Sequence, residues 1–183
     1  MPNPFETLGL APTFALDGAA LEQRQRDLNR AVHPDRHAGK GSGERRHSLN
    51  RAMDINQAYR SLRDPASRAE ALFELCGVHD VGERTIADPV LLGDMLDQRE
   101  LLDEARRGKD LARLEALKRD MLERGRQIEA ALAKAFEALL ASSVAGQKPG
   151  AFGPELADAQ RLFTELKYVR RFGEEVAAIE DEI

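Results

Sequence analysis

Apolar residues recur every three or four positions along most of this chain, and their phase divides it into helices. Phe5, Leu8 and Leu10 open with one or two helical turns. Asp17 is placed to cap a helix running to about Val32, with Leu21, Gln25, Leu28, Ala31 and Val32 on one face. Arg26 and Arg30 then point away from that face, and Arg24 lies on its flank. Pro34 stops this helix, because its ring cannot continue one. Gly39 to Gly43 reads as a loop, followed by a helix from about Glu44 to Arg63 with a stripe of Leu49, Ala52, Asn56, Tyr59 and Leu62. Asp64 and Pro65, a cap followed by a first-turn proline, start a short helix that ends near Cys76 and Gly77.

The chain changes character near Gly77. Val78 to Ala87 reads as a linker. Asp88 and Pro89 repeat the cap-plus-proline signal for a helix through about Arg107, and Gly108 is expected to form a tight turn. A long helix follows, with Leu111, Leu114, Met121, Ile128, Leu132, Phe136 and Leu139 on its apolar side. A loop is expected from Ser142 to Gly150. Pro154 starts the last helix, striped by Leu156, Ala159, Phe163, Leu166, Val169, Val176, Ile179 and Ile183. Three such helices with short connections should pack as an antiparallel bundle.

Composition supports an all-α fold. Trp is absent, aromatics make up 5% of the 183 residues, and Ala, Leu, Glu, Arg, Lys and Gln dominate. Cys76 is the single cysteine, which excludes an intrachain disulfide and a Cys-based zinc site and suggests a reducing compartment. The first residues lack the basic and apolar regions of a signal peptide, and no apolar run reaches the length of a membrane span, so a cytoplasmic protein is expected. The net charge of −5 hides an asymmetry: Arg24 to Arg63 holds ten basic residues against four acidic ones. That points to a basic docking face in the first half, aimed at an acidic partner.

The sharpest signal is His33-Pro34-Asp35, directly after the first long helix and its outward arginines. Pro34 fixes the backbone, while His33 and Asp35 offer an imidazole and a carboxylate that can bridge to charged groups on a partner. Together with Ile55-Asn56-Gln57-Ala58-Tyr59-Arg60-Ser61-Leu62-Arg63-Asp64-Pro65 downstream, this segment resembles the J domain of DnaJ-type co-chaperones. Val32 stands where J domains usually carry an aromatic residue, and Glu22 and Asp27 interrupt the basic helix, which fits a specialised chaperone partner. The Gly/Phe-rich and CxxC-rich regions of general DnaJ proteins are missing from this sequence. Instead the segments from Leu91 to Leu102 and Leu166-Lys167-Tyr168-Val169 lie in an acidic helical second part, and the whole resembles the HscB-type co-chaperones of iron–sulfur cluster assembly.

The resemblance implies a J domain at residues 1–76, a linker at 77–87 and a scaffold-binding three-helix bundle at 88–183. It implies two protein partners: a DnaK-class ATPase chaperone of the HscA type and an iron–sulfur scaffold protein of the IscU type. His33, Pro34 and Asp35, with Arg26 and Arg30, would meet the chaperone. Leu92, Leu96, Asp97, Arg99, Glu100 and Tyr168 would meet the scaffold. The family often has a larger apolar residue where this chain has Gly93. No catalytic residue, cofactor or metal is implied, and neither nucleic acid nor membrane is an expected partner. The helical geometry independently supports the second site. At about 100° per residue, Leu91, Met95, Leu102 and Ala105 form one stripe, while Leu92 and Leu96 lie on a shoulder beside Arg99, Glu100 and Asp103. Tyr168 also falls off the main stripe of its helix. Charge-rimmed apolar residues suit a small protein-binding patch, and the competing reading is a wide stripe that buries them.

Other function classes fit less well. An enzyme with His33 as general base oriented by Asp35 would need a nucleophile and a third group, and neither lies nearby in sequence. His37 and His47 lack the spacing of metal ligands on one face. Nucleic-acid binding would use the arginines, but stacking aromatics and a reading motif are missing and the pI is about 5.5. A general J-domain protein with a different client is the remaining alternative.

Overall fold

The structure, a computed structural model, describes residues 3–32, 42–79, 81, 89–144 and 154–183. All regular elements among them are helical: α1 (Pro4–Leu8), α2 (Gly18–Ala31), α3 (Ser42–Arg63), α4 (Pro65–Leu75), α5 (Pro89–Gly108), α6 (Leu111–Val144) and α7 (Pro154–Glu182). They fall into two units, Met1–Gly77 and Val78–Ile183.

Local chemistry sets the ends of the first unit's helices. The Asn3 side chain accepts from the Phe5 amide at 2.9 Å, and Pro4 occupies the first turn where no amide is needed. Gly9 ends α1 in the left-handed conformation at φ +62°, and a Cβ there would lie 2.7 Å from the Arg24 guanidinium. Glycine is favoured here by the left-handed backbone, and an added methyl would also displace the end of the Arg24 side chain. Asp17 caps α2 by accepting from the Ala19 amide at 2.9 Å. Asp64 caps α4 through the Ser67 amide at 2.8 Å.

Phe5, Leu8, Phe14, Leu21, Ile55, Leu62, Leu72 and Phe73 form the first core, each contributing about 1.5–3 kcal/mol by leaving water. On α3 the buried residues are Ser48, Ile55, Ala58 and Leu62, which corrects the stripe expected through Leu49 and Asn56. Leu49 is 56% exposed, and Asn56 faces solvent at the α2 boundary. The physical reason is that this face buries the small Ser48 and Ala58 together with Ile55 and Leu62, so apolar size alone does not trace it. The expected loop also ends earlier, because Ser42 and Gly43 already belong to α3.

In the second unit, α6 and α7 share a continuous seam. Leu114, Leu117, Met121, Ile128, Leu132, Phe136 and Leu139 are buried on one helix, and Phe163, Leu166, Val169, Phe172, Val176 and Ile179 on the other. Lys118 pairs with Glu180 and Arg124 with Glu165, so the two run antiparallel. Arg113 to Glu104 and Arg124 to Asp94 set α5 antiparallel to α6, completing an up-down-up bundle. The edges differ from expectation in small ways. Leu111 and Ile183 are exposed, because each lies at a helix end beyond the seam. Ser142 and Ser143 are still helical. The turn after α5 is made by Lys109 at φ +50°, while Gly108 remains the last helical residue.

Candidate functional site

His33, Pro34 and Asp35 lie outside the described residues, as do most of the 77–87 segment, Asp88 and the 145–153 segment. The helices on either side of the tripeptide are described. Val32 ends α2, its amide bonded to the Leu28 carbonyl at 3.1 Å. The hairpin is held together by amides as much as by apolar packing. Gln25 and Asn29 each donate to Asn56 Oδ1 at 2.8 Å, and Leu21 is the buried apolar residue of α2.

Arg26 and Arg30 face outward, as their helical phase demands. Each pairs within its own helix, Arg26 with Glu22 at 3.0 Å and Arg30 with Asp27 at 3.5 Å. These pairs are more than half exposed on the arginine side, so they contribute at most about 1 kcal/mol and can be exchanged for a partner's carboxylates. Arg24 behaves differently. Its Nε donates to the Leu8 carbonyl at 2.7 Å, which holds the end of α1 against α2 and withdraws this residue from the basic face. Sequence reasoning also overlooked Arg68, a buried arginine whose guanidinium donates to the carbonyls of Leu62 and Phe14 at 2.7 Å each and of Arg63 at 3.3 Å. Its role is to tie the end of α3 to the segment between α1 and α2.

The α5 face is described in full. Leu91, Leu102 and Ala105 are buried toward the bundle. Leu92 and Leu96, one turn apart, are 48% and 59% exposed, so the wide-stripe alternative in which the bundle buries them does not hold. Asp97, Arg99 and Glu100 are exposed beside them, and Arg99 pairs with Glu175 on α7. Gly93 has open space where a side chain would stand. Val90 is more exposed still, at 75%, and no periodicity marked it.

Tyr168 is placed differently from the others. Its hydroxyl donates to the Met95 carbonyl at 3.1 Å, and its ring lies 5.8 Å from that of Phe172. Burial pushes its phenol above the ordinary value near 10, with the Arg124 and Arg99 charges opposing and Glu175 assisting. It therefore pins α5 to α7, and it is half-buried rather than free.

Among the described residues no group of His, Cys, Asp and Glu could hold a metal, and no helix is long and apolar enough to cross a membrane. A family model described as the HSCB C-terminal oligomerisation domain matches residues 87–177. A co-chaperone protein HscB homolog of Vibrio vulnificus (strain YJ016) is 32% identical over 99% of this chain and 98% of its own length. This chain belongs to the HscB family of co-chaperones. The chaperone HscB of Vibrio cholerae has the same fold, with a TM-score of 0.74 at 31% identity over 98% of both chains. Human co-chaperone protein HscB shares the fold at a TM-score of 0.78 and 23% identity, over 97% of this chain and 82% of that one. This HscB-family chain accordingly carries a J domain followed by a helical C-terminal domain.

Proposed function

We propose that this HscB-family chain is a two-armed adaptor in iron–sulfur cluster assembly. Residues 1–76 act as the J domain, 77–87 as the linker and 88–183 as the scaffold-binding bundle. His33, Pro34 and Asp35, flanked by Arg26 and Arg30, engage a DnaK-class chaperone of the HscA type and stimulate its ATP hydrolysis. The chain performs no chemistry itself; it favours the hydrolysis-competent conformation of its partner. Leu92, Leu96, Asp97, Arg99 and Glu100 hold a scaffold protein of the IscU type, with the half-buried Tyr168 at the border of the patch.

The observation that carries this reading is the pair Leu92 and Leu96, left in solvent on a helix whose core positions are already filled. Apolar residues rimmed by Asp97, Arg99 and Glu100 make an interface centre rather than a folding core. The test is single-turnover ATP hydrolysis by the chaperone, with this protein and the scaffold added separately and together. Joint stimulation should exceed the product of the separate effects. His33→Gln should abolish stimulation. Leu92→Ala with Leu96→Ala should remove the synergy and weaken scaffold binding by roughly tenfold or more, leaving J-domain stimulation intact. Wild-type synergy in that double variant would move the scaffold site elsewhere on the bundle.

A further inference from the structure

The helix that carries Leu92 and Leu96 is fastened differently from its two neighbours. Successive four- and three-residue steps put Leu91, Met95, Gln98, Leu102 and Ala105 on its inner face. Leu91, Leu102 and Ala105 are buried there, while Met95 and Gln98, between them, are half-buried. The seam of α6 and α7, by contrast, buries large side chains along its length, Phe136, Phe163 and Phe172 among them. Gln98 also works against docking, because its Oε1 is buried without a hydrogen-bond partner.

Much of what ties α5 down is polar and lies at the surface. Arg99 pairs with Glu175, Arg106 with Glu182 at 3.2 Å and Arg113 with Glu104 at 3.1 Å, each with at least one side chain more than half exposed. Pairs of this kind hold weakly and are screened by salt. Lys109, in the turn that joins α5 to α6, holds φ +50°, a strained conformation for a residue with a side chain. We infer that α5 opens from the α6–α7 pair as one piece, about the Lys109 turn, and that scaffold binding is linked to its closed position. When α5 is closed, Glu175 holds Arg99 and Tyr168 holds the Met95 carbonyl, which orders the rim beside Leu92 and Leu96. Opening gives up the three buried residues, but it lets water reach Gln98 and relaxes the Lys109 backbone. A partner that binds the ordered patch draws α5 shut, and whatever holds α5 shut favours that partner. The linkage rests on the scaffold site proposed above; the opening does not.

Hydrogen exchange of the full chain, read peptide by peptide by mass spectrometry, tests both. After correction for intrinsic rates, amides in the middle of α5 should exchange about tenfold or more faster than those in the middle of α6 and α7. Raising sodium chloride from about 0.05 M to about 0.5 M should speed α5 roughly threefold and leave α6 and α7 nearly unchanged. Gln98→Met keeps the volume and removes the unpartnered oxygen, so it should slow α5 exchange about tenfold. Arg106→Ala with Arg113→Ala should speed it about twofold. Scaffold protein at about 100 times its dissociation constant should slow wild-type α5 by up to about a hundredfold. Exchange of α5 in step with α6 and α7, in wild type and in the double arginine variant alike, overturns the inference. So does a Gln98→Met chain whose α5 exchanges faster than wild type. A scaffold that binds without slowing α5 overturns the linkage. A scaffold that does not bind at all overturns the function proposed above and the linkage with it, while the opening stands on the comparison of helices.

Discussion

Arg68 shows what a single buried side chain contributes when it satisfies several backbone groups at once. Three carbonyls from two parts of the chain converge on its guanidinium, which also lies 5.2 Å from the Phe14 ring centre. Arg68→Met keeps the volume but leaves those carbonyls short of donors, so it should destabilise the first unit by about 2–4 kcal/mol in urea titration. A loss below about 0.5 kcal/mol would mean that water replaces the arginine without penalty. Lys109 is the opposite case, a residue whose identity works against its conformation. Its amide donates to Arg106 O at 3.2 Å and that of Asp110 to Ala105 O at 3.0 Å, which is the hydrogen-bond pattern of a glycine-terminated helix, yet lysine holds φ +50°. Lys109→Gly should raise stability by roughly 0.5–1 kcal/mol, read as a higher melting temperature. Gly108→Ala should be tolerated, because nothing lies within 4 Å of the added methyl.

At the scale of elements, helix number and most helix ends were legible in the sequence because caps and prolines are local signals. Asp17, Asp64 and Pro154 act where the sequence places them. The facing of α3 was legible only in part: Leu62 is buried and Ala52 and Tyr59 are half-buried as the stripe requires, but Leu49 and Asn56 are exposed. Periodicity weighs large apolar side chains, and on α3 Leu49 and Met53 stand in solvent while the small Ser48 and Ala58 are buried alongside Ile55 and Leu62. On α5 the same kind of reasoning separated Leu91 from Leu92, because the core side was already filled by a narrow stripe. Tyr168 was legible as off-stripe, but its bond to Met95 depends on how two helices meet, which no single-helix pattern contains. Tyr168→Phe should cost about 0.5–1.5 kcal/mol by removing that bond. A pH dependence accompanies it. Burial raises the phenol's pKa in the folded chain, so the proton is held more tightly there than in the unfolded chain. The resulting stability is present below about pH 10 and is lost as pH rises through the folded value. The gap between wild type and Tyr168→Phe in urea midpoint should therefore narrow as pH rises above about 10; a gap independent of pH would show that the phenol is effectively solvated.

For the molecule as a whole, two separate cores on one chain mean that two partners can act on different units. The adaptor proposal needs that division, and one residue offers a way to follow it. Cys76 is the only thiol, it is buried at the end of α4, and burial pushes its pKa up. A thiol so placed reacts with Ellman's reagent only when its surroundings open, so the labelling rate is a clock for transient opening of the first unit. If that unit opens at a cost of about 5 kcal/mol, labelling should be slower than for a free thiol by roughly three to four orders of magnitude. Chaperone bound to the first unit should slow the clock further by mass action, and scaffold bound to α5 should leave it running at the same rate. Slowing by the scaffold alone would show that the bundle and the hairpin exchange free energy across the chain between them.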